Sequence, residues 1–341
     1  MLSNDKNINK LFLYWLTTSL IIVFFIIIIG GLTRLTNSGL SITEWELFKG
    51  ILIPLNELDW QSYFERYKKI PQFKLLNYNM SLDEFKVIFY WEYFHRMLAR
   101  LIGIFFLLPL IYFYFTKKIN NRYMNTCFLI FFLILLQGII GWFMVKSGLI
   151  NDVTVSHYRL SIHLSVAFII ISIIFWLIIN IIMKKNKTFF DFSKENLPFL
   201  ILICLIYFQI IFGAFVSGLD AGNIYQTWPK MGLTFFPDDV IIKKINNFFN
   251  FNSHSLVQFY HRTLAYLITL YILLLSFYVY KKKFKDLYRP LKLFIFFLFL
   301  QIILGIFTLV SGLNIYLASA HQISSVILVF SAINLYYFKA K

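Results

Sequence analysis

Four histidines occupy matching positions in the two halves of this chain. His95 and His261 each follow an aromatic residue and precede an arginine, and His163 and His321 form a second matching pair further along. Each of them lies near the start of a long apolar segment. Ionisable side chains inside a membrane are costly and are therefore functional candidates by default. Histidines at duplicated positions predict two sites, each built from one pair.

The residue types indicate that each histidine pair binds a haem. Two imidazoles on different helices at one depth can bind a planar macrocycle from both faces, and neutral imidazole is a common axial ligand of haem iron. A mononuclear zinc or copper site would need further Cys, His or carboxylate ligands. Only Glu92 lies close in sequence to one of the histidines. Cys127 and Cys204 form no motif that attaches haem covalently or binds zinc.

One acidic residue distinguishes the two halves. Glu92 stands three residues before His95, and the second half has Gln258 at the same distance before His261. Helical spacing of three places each pair on one face. A carboxylate beside an apolar ligand pocket can exchange protons, whereas an amide cannot titrate. The substitution predicts proton chemistry in the first half and a more passive role for the second.

The other ionisable residues near these positions are of two kinds. Arg96 and Arg262 each follow a histidine, and Arg100 lies one turn below Arg96. Because anionic haem propionates need cationic partners at low dielectric, we predict that these arginines bind them. The alternative is that they reach towards the outer headgroups. His157 and His254 lie near helix starts without a repeat partner, so we interpret both as surface residues.

The elements that position these residues are predicted to be membrane-spanning helices. The chain has 341 residues, of which 59% are hydrophobic and only 14% charged, against about 25% charged in a soluble domain. A helix needs roughly 20 apolar residues to cross a bilayer, and the runs are continuously apolar rather than alternating, which excludes a barrel. The eight predicted spans are 11–33, 88–115, 123–145, 159–183, 197–217, 256–280, 291–310 and 317–338. The predicted fold class is therefore an all-α integral membrane protein.

The net charge of +16 is explained by how the positive residues are distributed among the connections between spans. Lys and Arg concentrate at the N-terminus and in the short segments after the second, fourth, sixth and eighth spans, so the positive-inside rule predicts cytoplasmic termini. The longer connections, 34–87 and 218–255, are then outside, and the histidines lie near the outer face. This pattern argues against nucleic-acid binding. The first run has no cleavage site after it and is interpreted as an anchor in a bacterial inner membrane.

The halves align as a tandem repeat. Gln137–Gly141 in the third span corresponds to Gln301–Gly305 in the seventh. We predict an N-terminal four-helix half at 1–183, a cytoplasmic linker at 184–196 and a C-terminal four-helix half at 197–341. Four spans per repeat give both halves one orientation, so a pseudo-twofold axis along the membrane normal is expected.

Glycines near the outer helix ends are interpreted in two ways. Gly138, Gly141 and Gly305 are predicted to allow close approach between helix backbones. Gly148 and Gly312 are predicted to form the turns that follow the third and seventh spans.

Nearly the whole chain resembles haem A synthase in its proteobacterial and mitochondrial form. The motifs that carry the resemblance are Gly30-Gly31-Leu32-Thr33-Arg34-Leu35-Thr36-Asn37-Ser38-Gly39-Leu40-Ser41, Glu44-Trp45, Pro54-Leu55-Asn56, Trp60, Glu92-Tyr93-Phe94-His95-Arg96, Gly218-Leu219-Asp220-Ala221-Gly222, Tyr225-Gln226-Thr227-Trp228-Pro229, Tyr260-His261-Arg262 and Ala320-His321-Gln322. Together these motifs are far more specific than any one of them. Some relatives carry a cysteine pair in the outer loops, and this chain has none there.

The resemblance implies oxidation of a methyl group on haem O to a formyl group, which gives haem A for terminal oxidases. It implies that His261 and His321 hold a haem b cofactor. His95 and His163 would face the substrate haem, and Glu92 would be a catalytic residue.

The implied partners are haem O, molecular oxygen, a ferredoxin-type electron donor and haem O synthase, within a lipid bilayer and with a homo-oligomer allowed. A di-haem b-type membrane electron carrier would use the four histidines equally well. An electron path across the membrane would need one haem near each face, whereas all four histidines are predicted to lie near the outer face. A haem exporter or chaperone is a third alternative. Product analysis separates the three, because only the synthase makes a formyl haem.

Overall fold

The chain folds into helices joined by loops. The computed structural model describes residues 6–44, 52–151, 153–241 and 248–340, so Trp45 and Lys341 lie outside the described residues. The helices are α1 Lys6–Leu35, α2 Glu57–Tyr67, α3 Pro71–Leu76, α4 Leu82–Thr116, α5 Asn121–Asn151, α6 His157–Ile182, α7 Leu197–Gly218, α8 His254–Lys281, α9 Tyr288–Val310 and α10 Ile315–Lys339. Short 3-10 turns occur at Ala221–Asn223 and Lys285–Leu287.

Eight helices in the described part of the chain are long and apolar enough to cross a membrane. They are α1 and α4 to α10, and they coincide with the eight predicted spans, so the protein is a multi-pass membrane protein. Two ends differ by six residues: α4 begins at Leu82 and not near residue 88, and α5 ends at Asn151 and not near residue 145. Ser81 and Glu84 form a capping box at α4, which satisfies backbone N–H groups at the helix start.

The chain divides into two compact units, Met1–Ile174 and Phe175–Lys341. In the first unit α1 packs along α4, and α4 packs along α5. In the second unit α7 packs along α8, and α9 packs along α10. Each of the four histidines therefore lies on a helix that follows another span of its own unit.

The segment that precedes α4 is held on this helix by aromatic packing. The Trp60 and Phe89 rings have centroids 5.0 Å apart. Phe64 and Tyr67 contact Phe85 with centroid distances of 5.1 and 5.2 Å. All five side chains are buried. This cluster fixes the N-terminal part of α4, on which Glu92 and His95 lie.

Three predictions about single residues are wrong. α5 continues through Gly148 to Asn151, so Gly148 is helical and forms no turn. A methyl group at Gly138 would meet nothing within 4 Å, so Gly138 makes no close helix contact. His157 is only 8% exposed because it is the first residue of α6 and its ring packs against Tyr158. The turn at Gly312 is confirmed by its φ of +73°, and His254 is exposed as predicted.

Candidate functional site

The first unit brings His95 and His163 together. His95 lies on α4 and His163 on α6, and their ring centroids are 6.4 Å apart with an angle of 70° between the ring planes. The Nδ1 atom of each ring is buried and has no hydrogen-bond partner among the described residues. The two imidazoles therefore face one another across a short gap in an apolar interior.

Each of these rings packs against a glycine on a neighbouring helix. A methyl group at Gly30 of α1 would lie 2.8 Å from His95 Cε1. A methyl group at Gly141 of α5 would lie 3.1 Å from His163 Cε1. A side chain at either position would displace the imidazole, so these glycines provide the room that the rings occupy.

The second unit repeats this arrangement with His261 and His321. Their rings are close enough to interact electrostatically. A methyl group at Gly213 of α7 would lie 3.2 Å from His261 Cε1, and one at Gly305 of α9 would lie 2.9 Å from His321 Cε1. All four predicted histidines thus meet a glycine. Gly141 and Gly305 were predicted to let helix backbones approach one another, but the atoms that lie against them belong to histidine side chains.

Sequence reasoning used Gln137 and Gln301 only to align the halves, and it missed both Gln209 and the contact that a glutamine makes beside three of these glycines. The glutamine stands four residues before the glycine, one helical turn away, and its amide nitrogen donates to the backbone carbonyl of the facing histidine. The pairs are Gln137 to His163 at 2.9 Å, Gln209 to His261 at 3.0 Å and Gln301 to His321 at 3.0 Å. The signal that could have found them is the spacing Gln-x-x-x-Gly, which three apolar spans share.

The histidine pairs fit a haem better than a metal ion held by protein alone. No group of three or more His, Cys, Asp or Glu side chains within the described residues could hold a metal ion, whereas structural zinc sites use four protein ligands and catalytic ones three. Two imidazoles that bind one metal from opposite sides through bonds of about 2 Å place their ring centroids roughly 6 Å apart. The separation of His95 and His163 matches that distance. A macrocycle would supply the remaining ligands in its plane.

Glu92 lies beside the first pair and joins α4 to the segment that follows α1. Its side chain is almost fully buried, with 2% of the residue exposed. Oε2 accepts hydrogen bonds from the Ser41 hydroxyl at 2.7 Å and from the Ile42 backbone N–H at 2.9 Å. Oε1 accepts two from Arg96, by Nε at 3.1 Å and Nη2 at 2.5 Å. Each carboxylate oxygen therefore accepts two hydrogen bonds.

Gln258 and Arg262 of the second unit correspond to Glu92 and Arg96. Both donate to backbone carbonyls of the loop between α7 and α8. Gln258 donates to the Tyr225 carbonyl at 2.9 Å, and Arg262 donates to the same oxygen at 2.7 Å. Arg262 also donates to the Thr227 carbonyl at 2.8 Å. Gln258 Oε1 and Arg262 Nε are buried without a partner among the described residues. The second unit therefore has a neutral amide and an arginine where the first unit has an ion pair. Both side chains bind the loop between α7 and α8.

The arginines predicted to bind propionates have protein partners in the structure. Arg96 Nη2 also donates to the Ile42 carbonyl at 3.0 Å, and Arg100 Nη1 approaches the Met97 sulfur at 3.8 Å. Arg96 lines a cavity of about 230 Å³ together with Lys146 and other residues of the outer side. A carboxylate group in this cavity would meet two cationic side chains, which is the environment expected for a propionate.

Comparison with known proteins assigns the chain to a family. The family model described as cytochrome oxidase assembly protein matches residues 13–333. The chain belongs to this family. A relative named Heme A synthase from Pelagibacter ubique is 48% identical over 97% of this chain and 97% of its own length. Others with that name are 38% identical in Flavobacterium psychrophilum, over 94% of this chain and 95% of theirs, and 40% identical in Rickettsia africae, over 92% and 94%.

In this member of the cytochrome oxidase assembly protein family, the loop between α7 and α8 is anchored by a polar cluster. The Tyr225 hydroxyl donates to Asp238 at 2.5 Å and contacts Asp239 at 2.7 Å. Burial and these two hydrogen bonds raise the pKa of the Tyr225 phenol. Burial acts to raise the pKa of Asp239, but hydrogen bonds from Ser255 and Tyr225 outweigh it and lower the pKa of that carboxyl. The cluster ties the loop to the start of α8.

Proposed function

We infer that this protein synthesises haem A, as a membrane-bound oxidoreductase that converts a methyl group of haem O to a formyl group. One observation carries the inference: the paired rings of His95 and His163 in a chain of this family, whose relatives over nearly the full length are named Heme A synthase. The histidines supply axial ligands, and the haem supplies redox chemistry that protein side chains lack.

The two histidine pairs bind different haems. His95 and His163 bind the substrate haem, and His261 and His321 bind a haem b cofactor. The support for this division is the ionisable Glu92 beside the first pair, where the second unit has Gln258. Proton transfer must accompany oxidation of a methyl group, and the carboxylate is the group that can take part in it.

The residues around the first pair bind, orient and exchange a proton. Arg96 and Arg100 pair with substrate propionates, as Arg262 does for the cofactor. Glu92 takes up or releases a proton at Oε2, which a hydrogen bond of 2.7 Å from the Ser41 hydroxyl holds in place. Burial of Glu92 and Ser41, at 2% and 1% exposed, keeps bulk water away from this exchange.

The proposed setting follows from charge and topology. The protein lies in a bacterial inner membrane with both termini cytoplasmic and both haem sites near the periplasmic face. Haem O synthase supplies the substrate, molecular oxygen is the oxidant, and a ferredoxin-type protein delivers electrons.

Product analysis tests the proposed activity. Haem is extracted from cells that produce haem O together with this protein and is separated by chromatography, with His95→Ala as the control. We expect haem A from the wild-type protein and none from the variant. A wild-type protein that carries haem b but leaves haem O unchanged would instead favour a di-haem electron carrier.

A further inference from the structure

The first unit has an apolar groove between α4 and α5 that takes no part in the roles described so far. We propose that this groove binds the farnesyl chain of the substrate haem. The farnesyl chain is what distinguishes haem O from the haem b cofactor. The proposal rests on the proposed function, because it takes haem O as the substrate of the first histidine pair. It adds the part of the protein that selects a haem with an isoprenoid chain.

The groove has a volume of about 440 Å³. It is lined by Leu107, Leu110, Ile111 and Tyr114 of α4 and by Phe128 and Phe131 of α5. Ile111, Tyr114 and Phe128 are 42%, 53% and 42% exposed, so the groove is open on the side where the two spans face the bilayer. Pro109 lies inside α4 at this level. A proline inside a helix removes a backbone hydrogen bond and usually bends the helix, which favours a gap beside α5.

The groove lies on the same helix faces as the cavity beside Arg96. That cavity of about 230 Å³ is also formed by α4 and α5, with Arg96 on one helix and Lys146 on the other. Leu107 follows Arg96 by 11 residues and Tyr114 follows it by 18, which are about three and five complete helical turns. All three residues therefore lie on one face of α4. At 1.5 Å per residue, Leu107 is roughly 16 Å from Arg96 along the helix.

Two glycines leave room between the cavity and the groove. Gly103 lies on α4 between Arg96 and Leu107, at spacings of seven and four residues. Gly138 lies on α5 between Trp142 and Phe131, at spacings of four and seven. These spacings put each glycine on the face of its helix that lines both spaces. A methyl group added at either glycine would meet nothing within 4 Å, so open space continues from the cavity towards the groove.

The second unit has larger side chains at the two matching positions. Thr269 stands as far after the first histidine of its pair as Gly103 does. Ile302 occupies the place of Gly138 in the aligned motif Gln-x-x-x-Gly. The difference agrees with the proposed division between the units, because haem b has no isoprenoid chain and needs no room of this kind.

The chemistry of haem O fits a passage that is cationic at one end and apolar at the other. Haem O bears its propionates at one edge of the ring and its farnesyl chain on the opposite side. Propionates bound at Arg96 and Lys146 would therefore direct the chain towards Leu107 and Phe131. Moving an isoprenoid chain from lipid into a protein groove gains little hydrophobic energy, because lipid tails are equally apolar. The preference for the chain must come from close packing against the groove.

Titration with two haems that differ in the farnesyl chain tests the groove. Purified protein that already carries haem b is titrated in detergent with haem O and, separately, with further haem b. We expect the wild-type protein to bind haem O about tenfold more tightly than added haem b. Leu107→Trp fills the groove and should remove this preference by weakening haem O binding about tenfold. Leu108→Trp is the matched control, since Leu108 is 63% exposed and lies outside the groove, and it should behave as wild type.

Gly138→Ile tests the passage independently of whether Leu107→Trp folds. It copies Ile302 of the second unit and replaces glycine by a residue of higher helix propensity. We expect it to lose the preference for haem O while the haem b of the second unit is retained.

Three results would overturn the proposal. The first is a wild-type protein without a preference for haem O. The second is wild-type haem O affinity in both Leu107→Trp and Gly138→Ile, which would show that the groove holds only lipid. The third is an equal loss of affinity for both haems in these two variants. Failure of the proposed function is separate, because it would appear as no haem A from cells with the wild-type protein, whereas the titration requires no turnover.

Discussion

Arg96 and Glu92 form a buried ion pair one helical turn apart, with Nη2 2.5 Å from Oε1. The side chains are 12% and 3% exposed. The same carboxylate accepts hydrogen bonds from Ser41 and the Ile42 backbone. Glu92 therefore binds the segment that follows α1, in addition to the proton exchange proposed for it. An experiment must separate these two roles.

Glu92→Gln should abolish most haem A formation while haem b binding stays close to wild type. An amide preserves the shape but cannot transfer the proton, and general acid–base groups contribute about 10²–10⁴-fold. Its NH2 group would also oppose either the Ile42 N–H or Arg96, which costs about 1–3 kcal/mol locally. The measurement is haem extraction and chromatography from cells that produce haem O.

Ser41→Ala is the matched control for Glu92→Gln. It removes one hydrogen bond to Glu92 Oε2 and keeps the carboxylate. We expect it to retain most activity. Equal losses in Ser41→Ala and Glu92→Gln would show that Glu92 acts by anchoring the segment that follows α1, and accumulation of an alcohol would place it in the later of two oxidation steps.

His261→Ala and His321→Ala should each remove the low-spin haem b spectrum from purified protein. The reason is that both rings face the same site and the cofactor loses one axial ligand in either variant. His254→Ala, at the exposed start of the same helix as His261, is the control and should keep the spectrum. Full haem b occupancy with unchanged ligation in both ligand variants would contradict the assignment.

Gly305→Ala should lower haem b occupancy. The added methyl group would lie 2.9 Å from His321 Cε1 and must push the imidazole from its position, and overpacking of this kind costs about 1–3 kcal/mol. Haem b per chain, measured by absorbance, reports the effect. Gly138→Ala meets nothing within 4 Å and should be neutral. A neutral Gly305→Ala would mean that the ring tolerates displacement.

A reporter fused after Lys341 should be cytoplasmic, and one inserted near Asn77 should be periplasmic. The expectation follows from the concentration of Lys and Arg in the short connections. Paired reporters of opposite compartment sensitivity measure it. The opposite result at both positions would invert the topology and place the haem sites near the cytoplasmic face.

The loop between α7 and α8 should become less stably folded at acidic pH. The folded pKa of Asp239 is lowered, so its contribution to stability is complete above the unfolded value of about 3.9 and is lost as the pH falls through the folded pKa. Limited proteolysis between Tyr225 and Asp239 should therefore increase below about pH 4. Asp239→Asn should be cleaved readily at neutral pH with little pH dependence, while Asp59→Asn behaves as wild type. Unchanged cleavage of Asp239→Asn would rule out this anchor.

The sequence by itself determined the membrane-spanning helices and which histidines form pairs. Continuous apolar runs identify spans because a bilayer admits few alternatives to a helix, and the predicted runs agree with the eight helices. His95 and His163 could be paired because a duplicated pattern repeats them in register with His261 and His321. Residue type and spacing along one helix were enough for these conclusions.

Only the tertiary structure decided what each of these residues touches. The contacts between Glu92 and Ser41, between Gly30 and His95, and between Gln209 and His261 join residues on different segments, 51 to 65 positions apart. Such contacts depend on how far each helix is rotated about its axis and how closely its neighbour packs. Helical periodicity sets neither quantity, because it assigns residues to a face without naming the helix that this face meets.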